Sequence, residues 1–424
     1  MLSWDETPTL FSMRHTRSWV EINLEALAHN VRTLKALLPP ATDLMCVVKA
    51  DAYGHGAVVV ANTALSEGAT WLGVATVPEG IELRQSGIDA PILVMGAVND
   101  PVEIRAIAQW HLQPTLVNPK QALVFSETLS DIWPEPSGAI QQNATASPMG
   151  LPVHLKLDTG MSRLGFPWQQ SVEFARFVQQ LPQLETASVY SHLATADSPE
   201  LETMRAQHVR FERAIADLKQ SNLLPPKIHL ANSAATLADP SLHYDMVRVG
   251  LATYGLYPAL HLCQKTALKP VLQVKARITQ IKEIAPGEGI SYGHRFIAKQ
   301  PMKVAVVGIG YADGVPRLLS NRLKVAVSTN DGTATLAPQL GSITMDQIML
   351  DVSAIASVQV GNIVTLLGSV GCHQLSADYW AALTQTISWE ILCGFKHRLP
   401  RVVIQPSSAE PSISALPEPL IAED

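Results

Sequence analysis

The sequence predicts an α/β protein: a (β/α)8 TIM barrel followed by a mainly β C-terminal domain. Three observations predict it. Eight short apolar runs alternate with amphipathic stretches over roughly the first 260 residues. The runs are nearly continuous rather than alternating, as parallel strands buried on both faces should be. Beyond about residue 265 the texture changes to strand patterns broken by glycine turns.

The strand candidates in the first part are 44–50, 71–76, 91–96, 112–118, 153–158, 187–193, 227–232 and 246–251. Helical patterns at 24–38, 78–87 and 199–220 lie between or beside them. A doubly wound open sheet is the runner-up, but no GxGxxG turn follows the first strand. In the second part, 271–284, 302–314, 323–328, 342–353 and 360–369 read as strands, and 376–385 as the only evident helix. The predicted organisation is a barrel over 17–262 and a β domain over 263–405. Residues 1–16, the insertion 131–150 and the tail 406–424 are polar and rich in Pro or Ser, and read as flexible.

Bulk properties exclude several classes. Of the 424 residues, 47% are hydrophobic and 16% charged, which excludes a disordered chain. The formal net charge of -6 offers no basic excess for nucleic acid. Cys46, Cys263, Cys372 and Cys393 show no CxxC pair or metal-ligand spacing, and read as reduced thiols. The N-terminus has no signal-peptide pattern, and no run is apolar enough to span a membrane. The expectation is a soluble cytoplasmic protein without a metal centre.

In such a barrel, chemistry belongs at the C-terminal strand ends. Lys49 ends the first candidate strand, before the glycine-rich ADAYGHG. Lys156, Asp158 and Arg163 lie on or after the fifth, His192 ends the sixth, Asn232 and Ser233 the seventh, and Arg248 the eighth, before Gly250 and Leu251. This set suits pyridoxal phosphate (PLP). A strand-end lysine in partly apolar surroundings loses its proton readily and can bond a carbonyl. The NSA turn offers amides and a hydroxyl to a phosphate, with Tyr53 and the nearby glycines beside it. Arg248 can face a pyridine nitrogen, and Arg163 can clamp a carboxylate.

VVKADAYGHG, KLDTGMSRLG, SHLATAD, ANSAAT, RVGLATYGLYP, GISYGHRF, GIGYADG and TMDQIMLDV together resemble alanine racemase, in order, from about residue 17 to 403. The resemblance implies a PLP-dependent interconversion of L- and D-alanine, supplying D-alanine for peptidoglycan. It also implies a head-to-tail homodimer in which the partner's β domain completes each site. Lys49 would carry the cofactor and act as one acid/base, and Tyr292 of the other subunit as the second. Arg163 and the Met345 N–H would hold the substrate carboxylate. Tyr53, Ser233, Gly250 and Leu251 would bind phosphate, with Asn232 in the same turn. Arg248 would meet the pyridine nitrogen, and His192, linked to it, would supply the cationic neighbour that helps a phenol ionise. Tyr311 and Asp346 would line the entrance. Lys156 matches a lysine that is often carbamylated in the family.

Two positions depart from the family pattern. Trp389 stands where a tyrosine commonly contacts the phosphate, and is either an altered contact or a core residue. Thr344 replaces a common cysteine, with little expected effect. Taken singly, Lys49 reads as a snorkelling lysine, Arg163 and Arg248 as ion-pair partners, and His192 as a satisfied buried histidine. Asp158 and His55 read as structural, and His294 and His397 carry no signal. The alternatives are a broad-specificity or serine-preferring racemase, a PLP-binding barrel without turnover, and a decarboxylase of the same fold. The last lacks its glycine-triplet and cysteine motifs here.

Overall fold

The computed structural model describes residues 17–133 and 150–404. The segments read as flexible (1–16, 131–150 and 406–424) lie outside these residues, except for residues 131–133 and 150, of which Asp131 and Ile132 close the helix Pro119–Ile132. The described residues form two compact units. One comprises Ala26–Ala52 and Ala57–Lys269. The other takes the described chain up to Glu25, the short piece Tyr53–Gly56, and everything described from Pro270 onward.

The division drawn at 262/263 therefore shifts. The first strand, β1 (Ser18–Asn23), leaves the barrel because it satisfies its backbone elsewhere. It pairs antiparallel with β10 (Leu272–Ile284) and parallel with the last strand of the chain, Arg401–Ile404. No apolar alternation in SWVEIN distinguishes a barrel strand from a β-sheet strand, so the sequence could not assign it.

The barrel unit holds the eight predicted strands: β2 (Asp43–Val47), β3 (Trp71–Val74), β4 (Ile92–Ala97), β5 (Gln113–Leu116), β6 (Leu151–Asp158), β7 (Leu184–Tyr190), β8 (Lys227–His229) and β9 (Met246–Val249). All neighbours pair in parallel, β2 lies between β3 and β9, and β5 pairs with β6, so the sheet closes. Met45, Trp71, Leu93, Tyr190 and Met246 pack together as one buried cluster. The helices turn an apolar stripe inward. In Glu202–Gln220, Met204, Gln207, Phe211, Ala214, Ile215 and Leu218 are buried at helical spacing. Asn118 caps Pro119–Ile132 through Oδ1, which accepts from the Gln121 amide at 2.8 Å.

In the β unit, the thirteen-residue β10 pairs with β1, β11 (Met302–Val307) and β15 (Ile363–Val370). A bulge between Ile278 and Gln280 bends it, and β12 (Lys324–Ser328), β13 (Ala334–Leu340) and β14 (Ile348–Asp351) complete the ring. Two helices follow rather than the single expected one. Ser388–Gly394, only seven residues long, is too short to show a helical period in the sequence.

Candidate active site

The barrel rim carries the first half of the site. Lys49, half-buried, follows the buried Val47 and Val48 at the end of β2. It opens a helical turn, Lys49–Gly54, in which Ala50, Asp51, Ala52 and Tyr53 have φ of 53°, 53°, 52° and 54°. This is a left-handed turn built from non-glycine residues. Each costs about 1–2 kcal/mol relative to the right-handed form, a strain that functional sites characteristically hold. Neighbouring carboxylates hold it in place. Glu79 accepts from the amides of Ala50 (2.7 Å), Ala75 (2.7 Å) and Thr76 (3.1 Å), and Asp51 accepts from Ala57 (2.8 Å).

Arg248, on β9, is 3% exposed. Its Nη2 donates to the carbonyls of Ser191 (2.8 Å) and Leu230 (3.1 Å) and to His192 Nδ1 (3.2 Å), and Nη1 donates to His229 Nδ1 (3.0 Å). Burial pushes its pKa down to about 10, so it stays a cation at neutral pH. Burial and then the Arg248 charge hold His192 well below the usual histidine range. His192 is thus neutral, with Nδ1 accepting and Nε2 carrying the proton. This corrects the sequence expectation: the cation is Arg248, and His192 offers a hydrogen-bond donor. The physical reason is that two adjacent buried positive charges are prohibitively costly.

Tyr190 lies beneath the cations, with Arg248 Cζ 5.1 Å and Lys156 Nζ 5.2 Å from its ring centroid. Lys156 is 6% exposed, and burial followed by the charges of Arg248, Arg163 and Lys49 pushes its pKa down to about 7. Arg163 is exposed and has no ion-pair partner among the described residues. Its loop is shaped by Asp158, whose Oδ1 accepts from the amides of Gly160, Met161 and Ser162 at 2.9, 3.0 and 3.1 Å. Gly165 closes the loop at φ 137°, where a Cβ would meet the Asp158 amide at 2.7 Å.

Ser233 Oγ accepts from Gly250 N–H (3.0 Å) and Ala252 N–H (3.4 Å), tying the turn after β8 to the turn after β9. Asn232, in the same turn, has a structural use. Its Oδ1 caps Ser233–Ala238, accepting from Ala235 N–H at 3.0 Å, because an asparagine at that position satisfies an otherwise orphaned helix amide.

The β unit carries the remaining candidates. Tyr292 is 73% exposed, in the connection between the short paired strands Gly289–Ile290 and Phe296–Ile297. Ser291 has φ 62°, and the segment is pinned by two reciprocal bonds. Ser291 Oγ donates to Ser342 O (2.7 Å) and Ser342 Oγ donates to Tyr292 O (2.9 Å). The GIGYADG and TMD motifs dock backbone to backbone: Tyr311 N–H donates to Thr344 O (3.0 Å) and Ala312 N–H to Met345 O (3.1 Å). Gly310 permits this approach, since a Cβ there would lie 2.3 Å from Thr344 O. Tyr311, Met345 and Asp346 are thereby gathered, and the Met345 N–H has no acceptor among the described residues. Arg398, which no sequence pattern singled out, donates to Asp346 at 2.5 Å. Buried Asp313 is paired to Arg17 and accepts from Gly310 N–H at 2.9 Å.

Tyr53 is 7% exposed, and burial with the neighbouring Cys393 thiol raises its pKa, so it remains a donor. His55 is buried and donates through Nδ1 to Tyr53 O at 3.1 Å. Trp389 is half-buried on Ser388–Gly394 and is not a core residue.

The sequence reading also missed the buried polar side chains inside the barrel: Thr115, His154, Ser188, Tyr190 and His229. Their signal was present. VHLKLD and KIHLAN each place a histidine within an apolar strand, where only an inward polar partner makes it tolerable.

These donors fit PLP. Arg248 has no carboxylate partner among the described residues, and its Nε–H has no acceptor there, so it suits a group that accepts rather than donates. The rim thus defines the class: a barrel enzyme built around an anionic, nitrogen-heterocyclic cofactor. Residues 22–258 match the family model of the alanine racemase N-terminal domain, and 271–403 that of the C-terminal domain. The chain belongs to the alanine racemase family, whose members depend on PLP. An alanine racemase of Nostoc sp. is 62% identical over 386 residues, covering 91% of this chain and 95% of the relative. A solved alanine racemase of Clostridium difficile 630 is 32% identical at a TM-score of 0.82, covering 92% of this chain and 96% of that one. A solved histidine racemase of Leuconostoc mesenteroides is 27% identical at a TM-score of 0.80, covering 92% and 98%. No helix of the described residues is long and apolar enough to cross a membrane.

Proposed function

We propose that the protein interconverts L- and D-alanine with PLP held by Lys49, using Lys49 and the Tyr292 of a second subunit as the two bases. The observation that carries the assignment is the buried, carboxylate-free Arg248 on the rim of a parallel barrel that Lys49 also joins. When bound, PLP supplies the electron-withdrawing ring that makes the substrate Cα–H acidic. Lys49 Nζ takes or gives the proton on one face and Tyr292 Oη on the other. His192, neutral with its proton on Nε2, donates to the Tyr292 oxygen and stabilises its deprotonated form. Arg163 and the Met345 N–H hold the substrate carboxylate. The Ser233 hydroxyl, the amides of Gly250 and Leu251, and the Tyr53 hydroxyl bind phosphate, with Trp389 at its edge. Tyr311 and Asp346 line the entrance.

The exposure of Tyr292, Tyr311 and Met345 (73, 42 and 53%) supports a site completed across a head-to-tail homodimer. The product serves the cytoplasmic supply of D-alanine for peptidoglycan. The enzyme should show a visible Schiff-base band that borohydride bleaches while fixing the cofactor onto Lys49, and absence of the band would undo the cofactor assignment. Mixing the two inactive variants Lys49→Ala and Tyr292→Phe should restore about a quarter of native activity, since half of the random dimers regain one whole site. No recovery would refute the shared site. A neighbour of similar fold is a histidine racemase, which makes the accepted side chain the question to test. Racemisation of alanine, serine and histidine, followed by circular dichroism, decides breadth.

A further inference from the structure

Inside the barrel, a file of side chains runs from Arg248 across four neighbouring strands. Arg248 Nη1 lies 3.0 Å from His229 Nδ1, and His229 Nε2 lies 2.8 Å from Ser188 Oγ. Ser188 Oγ lies 2.6 Å from His154 Nδ1, and His154 Nε2 lies 2.8 Å from Gln113 Oε1. Each link moves to the next strand, from β9 to β8, β7, β6 and β5. Ser188 and His154 are direct register partners, and the other links are diagonal.

The direction of every bond follows from one fact: a guanidinium can only donate. His229 Nδ1 must therefore accept, which leaves its proton on Nε2. Ser188 accepts that proton bond, and its own hydroxyl then donates to His154 Nδ1. His154 in turn carries its proton on Nε2 and donates to the Gln113 carbonyl oxygen. No link is contradictory and no member is left over. Burial pushes His154 down to about 3, and burial with the Arg248 charge keeps His229 well below the usual range, so both rings are neutral. Tyr190 fixes the plane of the second ring. It stacks on His229 at 4.6 Å and 9°, and its hydroxyl donates to Thr115 Oγ1 at 2.7 Å, Thr115 donating onward to Val94 O at 2.8 Å.

We propose that His229, Ser188, His154 and Gln113 form a one-way hydrogen-bond relay that orients Arg248 from within the barrel and makes these four positioning residues for the reaction. The proposal rests on the reading that Arg248 faces the cofactor ring. The physical reason for a relay is that a single neutral acceptor beside a buried cation can rotate or exchange tautomers. A chain ending in an amide that offers a carbonyl oxygen removes that freedom, because reversing His229, Ser188 or His154 breaks two bonds at once.

The test uses the holoenzyme labelled with 15N-histidine. His154 and His229, assigned by loss of signal in His154→Phe and His229→Phe, should each show a pyridine-type Nδ1 and a pyrrole-type Nε2, unchanged as pH is varied through neutrality. A protonated Nδ1 on either ring overturns the relay. Ser188→Ala removes the middle link and should lower kcat about five- to tenfold, the worth of roughly one buried hydrogen bond, while the alanine KM stays within about twofold. Ser188→Thr, which keeps an Oγ on a β-compatible residue, should restore kcat. If Ser188→Ala does not fold, Gln113→Leu at the half-buried far end should lower kcat in the same sense without moving KM. Native kcat in the folded variant overturns the proposal. Arg248→Lys separates the two layers. If it behaves as the native enzyme, the reading of Arg248 fails. If it is impaired while Ser188→Ala is not, only the relay fails.

Discussion

Lys156 is the residue whose chemical state the structure predicts most sharply. Its ammonium is buried and faces three cations, Arg248, Arg163 and Lys49, against the single opposing carboxylate of Asp158 among the described residues. With a pKa of about 7, some nine-tenths of it is the free amine at pH 8, against about 0.3% for an ordinary lysine at 10.5. The nucleophilic form is thus enriched about 300-fold. Lys156 Nζ and Arg248 Cζ lie 5.2 and 5.1 Å from the Tyr190 centroid. That bounds their separation at about 10 Å, where unit charges interact by ~1.7 kcal/mol or more at an effective dielectric of about 20. Attack of the amine on carbon dioxide forms an N–C bond and releases a proton, leaving a carbamate anion. Replacing the neutral amine by that anion adds an attraction to Arg248 alone of about 1.7 kcal/mol or more. It also gives the otherwise unpaired Arg163 an anionic partner.

Enzyme equilibrated with 13C-bicarbonate at pH 8 should therefore show a carbamate resonance that Lys156→Met abolishes. The same variant should raise the alanine KM by about tenfold as Arg163 loses its orientation. Absence of a Lys156-dependent resonance, together with a native KM, would refute the reasoning. The pH dependence has a definite sign. The folded pKa is depressed, so between about 7 and 10.5 the unfolded chain binds a proton that the folded chain does not. In carbon-dioxide-free buffer, stability should rise with pH across that window and reach its lower plateau below about 7.

Tyr292→Phe removes one of the two proposed bases and should lower kcat by about 10²–10⁴ with little change in alanine KM. In deuterated solvent it should leave exchange at Cα confined to one enantiomer, and exchange into both would count against the assignment. Arg248→Glu should favour a protonated ring nitrogen and raise transamination, read as pyruvate formed from alanine. An unchanged pyruvate yield would sink that role. Ala50→Gly relieves one left-handed residue at an exposed position and should stabilise by about 0.5–1 kcal/mol in urea unfolding. A loss of stability would show that the turn is not strained there.

The barrel was legible because parallel strands buried on both faces leave continuous apolar runs, and all eight appear. β1 was not legible, since its partners β10 and the closing strand lie more than 240 residues away in sequence and a lone six-residue run does not reveal its sheet. Within the site, residues at strand ends could be placed on one rim from periodicity alone. Roles that depend on protonation could not. His192 looked like a source of positive charge, and only the 3.2 Å contact with Arg248 shows why it must be neutral. Asn232 was placed in the phosphate turn, and only its bond to Ala235 shows that its Oδ1 also caps a helix.

The same limit explains why the interior histidines were overlooked. A polar residue in a buried strand is costly unless every one of its polar atoms is matched, so it carries meaning only as part of a set. In VHLKLD and KIHLAN the set is distributed over five strands, and no window of sequence contains two of its links. The donor-only chemistry of Arg248 orders both directions from one residue. Toward the rim it makes His192 a donor through Nε2, and into the barrel it makes His229, Ser188 and His154 donate in turn. A neutral lysine at 248 could accept as well as donate and would leave both histidines free to reverse. Arginine at this position therefore does two things together: it supplies a charge that survives burial, and it fixes the proton positions on both sides of itself.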